Sequence, residues 1–335
     1  MSYKYQSKKS NIMKYLKIVA IVLAFASCYA QDKQVLLKKE AFTDFSKLPV
    51  YSRLTEKDNG KTVWKKKYQY LDSITIYNIQ YLSDGLKVNG LLITPKTTSK
   101  VPCIIFNRGG NQDFGALNMM AALHLGKLAN EGYAVIASQY RGNAGGEGRE
   151  EFGGRDVNDV LQLIPVLAEE KVADTSKIGM YGWSRGGMMT YRALTKTNTI
   201  KAAVVGGALA DMEEAIKDRP EMESQLLAEL VPNYKGNEAE EIKKRSAIQW
   251  VDQFPRKVPI LLLHGNSDWR VKPEQSLRMA LAFTEYRIPY RLIIFEGADH
   301  GINEFREEVN EAVLNWFDKY LKGNANLPNM EYHGD

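Results

Sequence analysis

The most chemically pointed stretch of this sequence is Gly182-Trp183-Ser184-Arg185-Gly186-Gly187. A short apolar run, residues 178–181, precedes it, and a helix-compatible run follows. A serine flanked by glycines at a strand-to-helix junction fits a nucleophile elbow. The physical need is specific. Ser184 takes a sparsely populated backbone conformation, and a side chain at Gly182 or Gly186 would collide with the adjoining strand or helix. The turn lifts the hydroxyl above a sheet edge, at a helix N-terminus whose dipole favours developing negative charge. The chemistry implied is acyl transfer through a serine nucleophile.

A serine hydroxyl is a weak nucleophile and needs a base. After such an elbow the chain order is acid, then histidine. Downstream lie His264, His300 and His333. His333 falls in the last few residues. His264 closes the apolar run 260–263 and reads as a structural hydrogen-bonding residue. His300, in Gly297-Ala298-Asp299-His300-Gly301, follows the run 292–295 and precedes the last helix. That position reaches the sheet edge of Ser184, so His300 is the expected base. His124, upstream in a helical run, reads as a packed histidine. The acid is Asp268 or Asp299. Asp299 adjoins His300, and immediate neighbours rarely converge. Asp268, in Asn266-Ser267-Asp268-Trp269-Arg270-Val271, comes from its own post-strand loop and is preferred, to orient the imidazole and stabilise its charged form. Two oxyanion donors are also required. One is the backbone N–H of Arg185. The other belongs to the loop after Phe106, where Gly110 and then Gly109 are favoured. This mechanism calls for no cofactor and no metal.

These residues need a scaffold that brings loop ends together. Residues 103–106, 133–138, 177–181, 202–206, 259–263 and 291–295 read as short strands. Helical patterns at 119–130, 156–170, from 184, 273–286 and 303–320 alternate with them. This rhythm predicts an α/β fold with a mostly parallel, doubly wound sheet covered on both faces. Before it, residues 67–95 form a β-rich run with a turn at Asp84-Gly85, an antiparallel edge. Residues 31–66 read as a short helical or irregular lead-in, 67–325 as the catalytic domain, and 326–335 as a tail. Residues 211–250 interrupt the rhythm with charged helical sequence. They read either as a cap over the ligand-binding edge of the sheet or as a surface helical hairpin. Met212, Ala215, Ile216, Leu226, Leu227 and Leu230 recur near helical spacing there.

Composition narrows the classes. The chain has 335 residues, 44% hydrophobic and 25% charged, enough for a large core. Two cysteines, Cys28 and Cys103, exclude a disulfide scaffold and a cysteine-built zinc site, and the four histidines show no ligand spacing. Five of the 45 basic residues lie in residues 1–30, which hold no acid, so the other 40 are balanced by 40 acidic ones. The net charge of +5 therefore gives no case for nucleic acid as a partner. Those first residues are ordered as basic, then apolar at 18–26, then small. This is the order of a secretory leader, and the apolar run is too short for a membrane span. Cleavage after Ala30 and a lipid-accepting Cys28 are both compatible, so the expected location is periplasmic, secreted or lipid-anchored.

The set of motifs resembles the catalytic domain of the prolyl-oligopeptidase family of serine peptidases. It comprises Arg108-Gly109-Gly110, Tyr140-Arg141-Gly142 with a Gly-rich stretch, the elbow, His264-Gly265 with Asp268 and Arg270-Val271, and finally His300. The resemblance implies an α/β-hydrolase fold with Ser184, Asp268 and His300 as its triad. Two departures stand out. Residues 31–66 are too few for the β-propeller that many members carry. Arg108 stands where a His or Tyr is common, and either brings a charge to the substrate or braces the loop through carbonyls. Trp183 and Trp269, each beside a triad residue, are expected as aromatic walls, with Arg108 as a third substrate contact. The expected substrates are small peptides or, alternatively, compact acyl or carbohydrate esters. The sequence leaves the oligomeric state open.

Overall fold

The computed structural model describes residues 34–334. The leader, with Ala30 and Cys28, lies outside the described residues. From Val35 onward the chain forms one compact unit. Among the described residues no helix is long and apolar enough to cross a membrane.

A nine-stranded sheet organises the unit, in the order β1-β4-β5-β7-β6-β8-β9-β10-β11. The central and distal strands are β6 (Val101–Asn107), β7 (Ala134–Ser138), β8 (Ala173–Trp183), β9 (Ile200–Gly206), β10 (Ile260–Gly265) and β11 (Tyr290–Phe295), all parallel. They are short apolar runs because both of their faces are buried. Ile105, Val205 and Leu262 point into one core, and Ile104, Val204 and Leu261 into the other. On the near side, β4 (Ile74–Ser83) and β5 (Leu86–Pro95) form the expected antiparallel hairpin, turning at Asp84-Gly85 with both residues at positive φ.

Three readings of the sequence need correction. The lead-in is not helical or irregular throughout. Its Leu36–Ala41 forms β1, paired antiparallel with β4 at the rim of the main sheet. Only Leu36 of that strand is buried, so backbone pairing rather than an alternating apolar pattern places it there. Glu169 also accepts from the Val35 N–H. A small hairpin, β2 (Thr55–Asp58) and β3 (Lys61–Trp64), follows. Tyr68 and Tyr70 sit in a 3₁₀ turn over Lys66–Ser73 and not in a strand. The helix expected at 156–170 is split into Val157–Leu161 and Leu163–Ala168. Pro165 lacks an N–H and its ring crowds the carbonyl of Leu161, so the helix breaks there.

The sheet's loop ends converge where strand order reverses. The chain leaves β6 toward β7 on one side, and β8 toward β9 on the other, which opens a crevice between the two loops. Residues 211–250 enter after β9 as Met212–Asp218, a widened turn at Met222–Leu227, and Glu238–Lys244. Asp211 caps the first helix by accepting from the Glu214 N–H. Met212, Ala215, Leu227 and Leu230 are buried, as the helical spacing predicts.

The last long helix, Arg306–Phe317, seals the far face. Gly179 of β8 is bare because a Cβ there would stand 2.6 Å from Phe317 Cε1. Phe317 is fully buried against it. Phe317→Ala is expected to cost about 3–5 kcal/mol of stability, read as a lowered urea midpoint with an unchanged slope.

Candidate active site

Ser184 follows β8 directly and precedes the helix Arg185–Leu194. Its φ of 57° and ψ of −124° lie in a region few non-glycine residues occupy. The surroundings enforce that geometry. A Cβ on Gly182 would sit 2.1 Å from the Gly186 oxygen, and one on Gly186 would sit 1.9 Å from the Asn107 oxygen. The Ser184 N–H donates to Gly206 O at 2.8 Å, which pins the turn to the next strand.

Asp268 and His300 arrive on the loops after β10 and β11. His300 Nδ1 lies 2.6 Å from Asp268 Oδ2. A carboxylate only accepts, so Nδ1 carries the hydrogen and Nε2 is left as the acceptor. Asp268 Oδ1 accepts from the N–H groups of Arg270 at 2.8 Å and Val271 at 3.0 Å. Burial alone would raise the Asp268 carboxyl. The hydrogen-bonding imidazoles of His264 and His300 and the Val271 N–H outweigh burial and hold it well below the ordinary carboxylate range. Of the two imidazoles His300 is the closer. His264 Nε2 stands 3.3 Å from Oδ2, and its shorter contact is Val271 O at 2.7 Å. His264 is fully buried and also bonds Ser276, a structural placement. Asp299 is turned away and accepts from Gly301 N–H at 2.8 Å.

Ser184 and His300 line one cavity of about 270 Å³. The Asp268–His300 link is closed by a hydrogen bond, whereas no hydrogen bond joins Ser184 to His300. Contacts of this kind often tighten only with substrate in place. Trp183 shares the wall and donates its indole N–H to His300 O at 2.9 Å. One aromatic residue thus ties the elbow to the His300 loop.

Gly109, Gly110 and Arg185 also line the cavity. Gly110 has φ +68°, and a Cβ on Gly109 would come within 3.2 Å of Ser184 Cβ, so this loop lies hard against the elbow. Arg108 does not line the cavity and is not the substrate contact expected of it. It is buried, and its guanidinium donates to the carbonyls of Gln139, Gly109, Phe114 and Gln112. An arginine has five donors in a fixed fork, and here they brace the loop. Trp269 is also displaced from its expected role. It is 65% exposed and forms no part of the cavity wall.

The side chain of Arg185 has a role that its place after Ser184 does not reveal. That guanidinium is buried, pairs with Glu150 and Asp156, and donates to Gly110 O at 2.9 Å. Glu150 accepts in turn from Gln112 N–H. Asp156 accepts from Gly153 N–H at 3.0 Å. One cation therefore fixes the Gly109-Gly110 loop and the loop bearing Phe152, another wall residue. The only signal in the sequence was a cluster of acids inside the Gly-rich stretch after Tyr140. Part of the wall comes from the 211–250 segment through Arg219, Met222 and Leu226, and part from Arg270. The segment therefore reaches the site, as a cap does. Among the described residues no group of three or more His, Cys, Asp or Glu side chains is gathered that could hold a metal.

The sequence pattern of the prolyl oligopeptidase family matches residues 120–324, more than half of the chain. The uncharacterized peptidase YtmA of Bacillus subtilis is 29% identical over 250 residues, 74% of this chain and 94% of that protein. The acylamino-acid-releasing enzyme of Mus musculus is 26% identical over 270 residues, 73% of this chain but 35% of that protein. Among solved structures, an acylaminoacyl peptidase of Pyrococcus horikoshii superposes with a TM-score of 0.65 at 23% identity. It covers 79% of this chain and 45% of its own. A puromycin-hydrolyzing peptidase of Mycobacterium tuberculosis gives 0.63 at 24% identity, covering 78% and 42%. The fold is that of the α/β-hydrolase peptidases. The match spans nearly all of YtmA but less than half the length of the other three proteins.

Arg185→Met would leave Glu150 and Asp156 buried without their counter-charge. The expected loss is about 3–5 kcal/mol of stability, measured by denaturant titration. A loss below about 1 kcal/mol, the scale of an exposed pair, would show that the buried cluster does not hold the loops.

Proposed function

The chain belongs to the prolyl oligopeptidase family of serine peptidases, and we propose that it hydrolyses short peptides through a Ser184–His300–Asp268 triad. The observation that carries this reading is the 2.6 Å Asp268–His300 hydrogen bond, set beside a strained Ser184 in one cavity.

Ser184 Oγ attacks the scissile carbonyl carbon while His300 Nε2 takes its proton. Asp268 keeps Nδ1 protonated and stabilises the imidazolium. The carbonyl oxygen becomes an oxyanion, met by the backbone N–H of Arg185 and that of Gly110, with Gly109 as the neighbouring donor. As the tetrahedral intermediate collapses, His300 returns the proton to the leaving amine and the C–N bond breaks. A water then repeats the sequence on the acyl-enzyme, releasing the acid and restoring Ser184. No step calls for a metal or an organic cofactor.

Small substrates follow from the walls. A cavity of about 270 Å³ bounded by Met222 and Leu226 of the inserted segment suits a few residues of extended peptide, not a folded chain. Relatives whose names state an activity include an acylamino-acid-releasing enzyme and a puromycin-hydrolyzing peptidase. Amide hydrolysis is therefore preferred to the ester alternative.

Ser184→Ala is expected to lower kcat on the order of 10⁶-fold and to abolish fluorophosphonate labelling, with the fold retained by circular dichroism. Asp268→Asn favours the wrong imidazole tautomer and is expected to lower kcat by about 10⁴-fold. Asp299→Asn should change it little, since that carboxylate serves its own turn. The comparison is made on one chromogenic peptide amide. A greater loss in Asp299→Asn than in Asp268→Asn would refute the acid assignment.

A further inference from the structure

The wall of the Ser184 cavity carries an uneven charge. Arg185, Arg219 and Arg270 line it, and no carboxylate does. Arg185 is already neutralised by Glu150 and Asp156. Arg219 meets Glu221 at 2.9 Å, but that glutamate is half in solvent, where water screens the pair. Arg270 has no carboxylate partner among the described residues.

What holds Arg270 is aromatic. Its guanidinium carbon lies 5.6 Å from the Phe114 ring centroid and 5.4 Å from that of Trp269. Phe114 comes from the loop after β6, Trp269 from the loop after β10, so the cation is held between opposite sides of the mouth. Arg219 lies 5.6 Å from the same indole and donates to Arg270 O at 3.3 Å. The exposed Trp269 thus has a place after all, as a platform carrying two guanidiniums. Ring contact orients the cation while leaving in-plane N–H donors free, so little freedom is lost when a ligand binds. Behind the pair the walls are apolar, Phe152, Leu209, Met222 and Leu226. Apolar walls strengthen the field of charges at the mouth of a cleft.

We propose that Arg219 and Arg270 form a carboxylate receptor, so that this enzyme selects short peptides bearing a negative charge close to the scissile bond. The inference rests on the peptidase reading above and adds the substrate class. A carboxylate matches the guanidinium fork, because its two oxygens accept two parallel hydrogen bonds from the fork and bring the negative charge the wall lacks. The group is either an acidic side chain or a free C-terminus. Glu221 competes for Arg219 from within the chain.

The test uses the purified full chain and two matched pairs of short peptides. One pair differs as glutamate against glutamine next to the scissile bond. The other is a neutral peptide with a free or an amidated C-terminus. The readout is the ratio of kcat/KM within each pair. The wild type should favour the charged member of at least one pair by about tenfold or more at low salt, and the ratio should fall as salt is added. The pair that responds names the source of the carboxylate. Arg219→Gln and, separately, Arg270→Gln should bring that ratio toward one, while Glu221→Gln should raise it. Arg270 lies close to Asp268, so if its variant is poorly folded the Arg219→Gln ratio decides. Turnover with ratios near one in the wild type, or a ratio unchanged in Arg219→Gln, overturns the receptor and leaves the peptidase reading standing. No turnover of any of the four peptides overturns both.

Discussion

A Cβ on Gly186 would stand 1.9 Å from the carbonyl oxygen of Asn107, so the helix after Ser184 and the loop after β6 touch backbone to backbone. The candidate site depends on that approach. It requires glycine at 182 and 186, and it holds Ser184 at positive φ. It also brings Gly109 against Ser184, with Gly110 and Arg185 on the wall of the same cavity. A wider approach would let Ser184 relax to an ordinary conformation and would move the loop after β6 away from its side chain. The parallel pairing of β6 with β8, which sets Asn107 opposite Gly182, is what fixes the separation.

Backbones packed this tightly need loops that do not drift, and the molecule meets the need with buried cations. Arg108 gathers the carbonyls of its own loop and of Gln139. Arg185 gathers two carboxylates and Gly110 O. Arg245 joins the inserted segment to the same region by donating to Glu151 O and Phe152 O, both at 2.7 Å. A buried charge held by several partners is costly to form and costlier to break, so such knots define one arrangement of the loops rather than adding much net stability. Three arginines thus do by hydrogen bonding what small apolar side chains cannot do in loops rich in exposed carbonyls.

The parts of the molecule that read well from sequence are those where one local pattern carries the meaning. The elbow is a motif with a strand before it and a helix after it. The parallel strands are short apolar runs, and Asp268 stands on a loop of its own, from which it meets His300. What escaped depends on partners distant in sequence. β1 is an exposed strand whose place is set by pairing with β4, and its residues show no alternation to betray it. Nothing beside Arg108 says that Gln139 will offer its carbonyl. Trp269 next to the acid looked like a wall, yet the side chain after Asp268 points to solvent because Arg270 and Val271 must turn their N–H groups onto the carboxylate. Arg219 lies in a segment whose charges look like a solvated helix surface until the fold turns one of them into the crevice.

The inserted segment also separates two independently adjustable parts within one chain. Ser184, Asp268 and His300 hang from β8, β10 and β11, and their mutual geometry is a property of the sheet. Arg219, Met222 and Leu226 hang from a connection between β9 and β10, held at its start by Gln275, which accepts from the N–H groups of Ala210 and Asp211. Mutation can rewrite the lining of that connection, its length or its charge without disturbing any strand that carries the reacting groups. The lining of the crevice and the mutual geometry of Ser184, Asp268 and His300 can therefore vary independently, since one belongs to a connection and the other to the sheet.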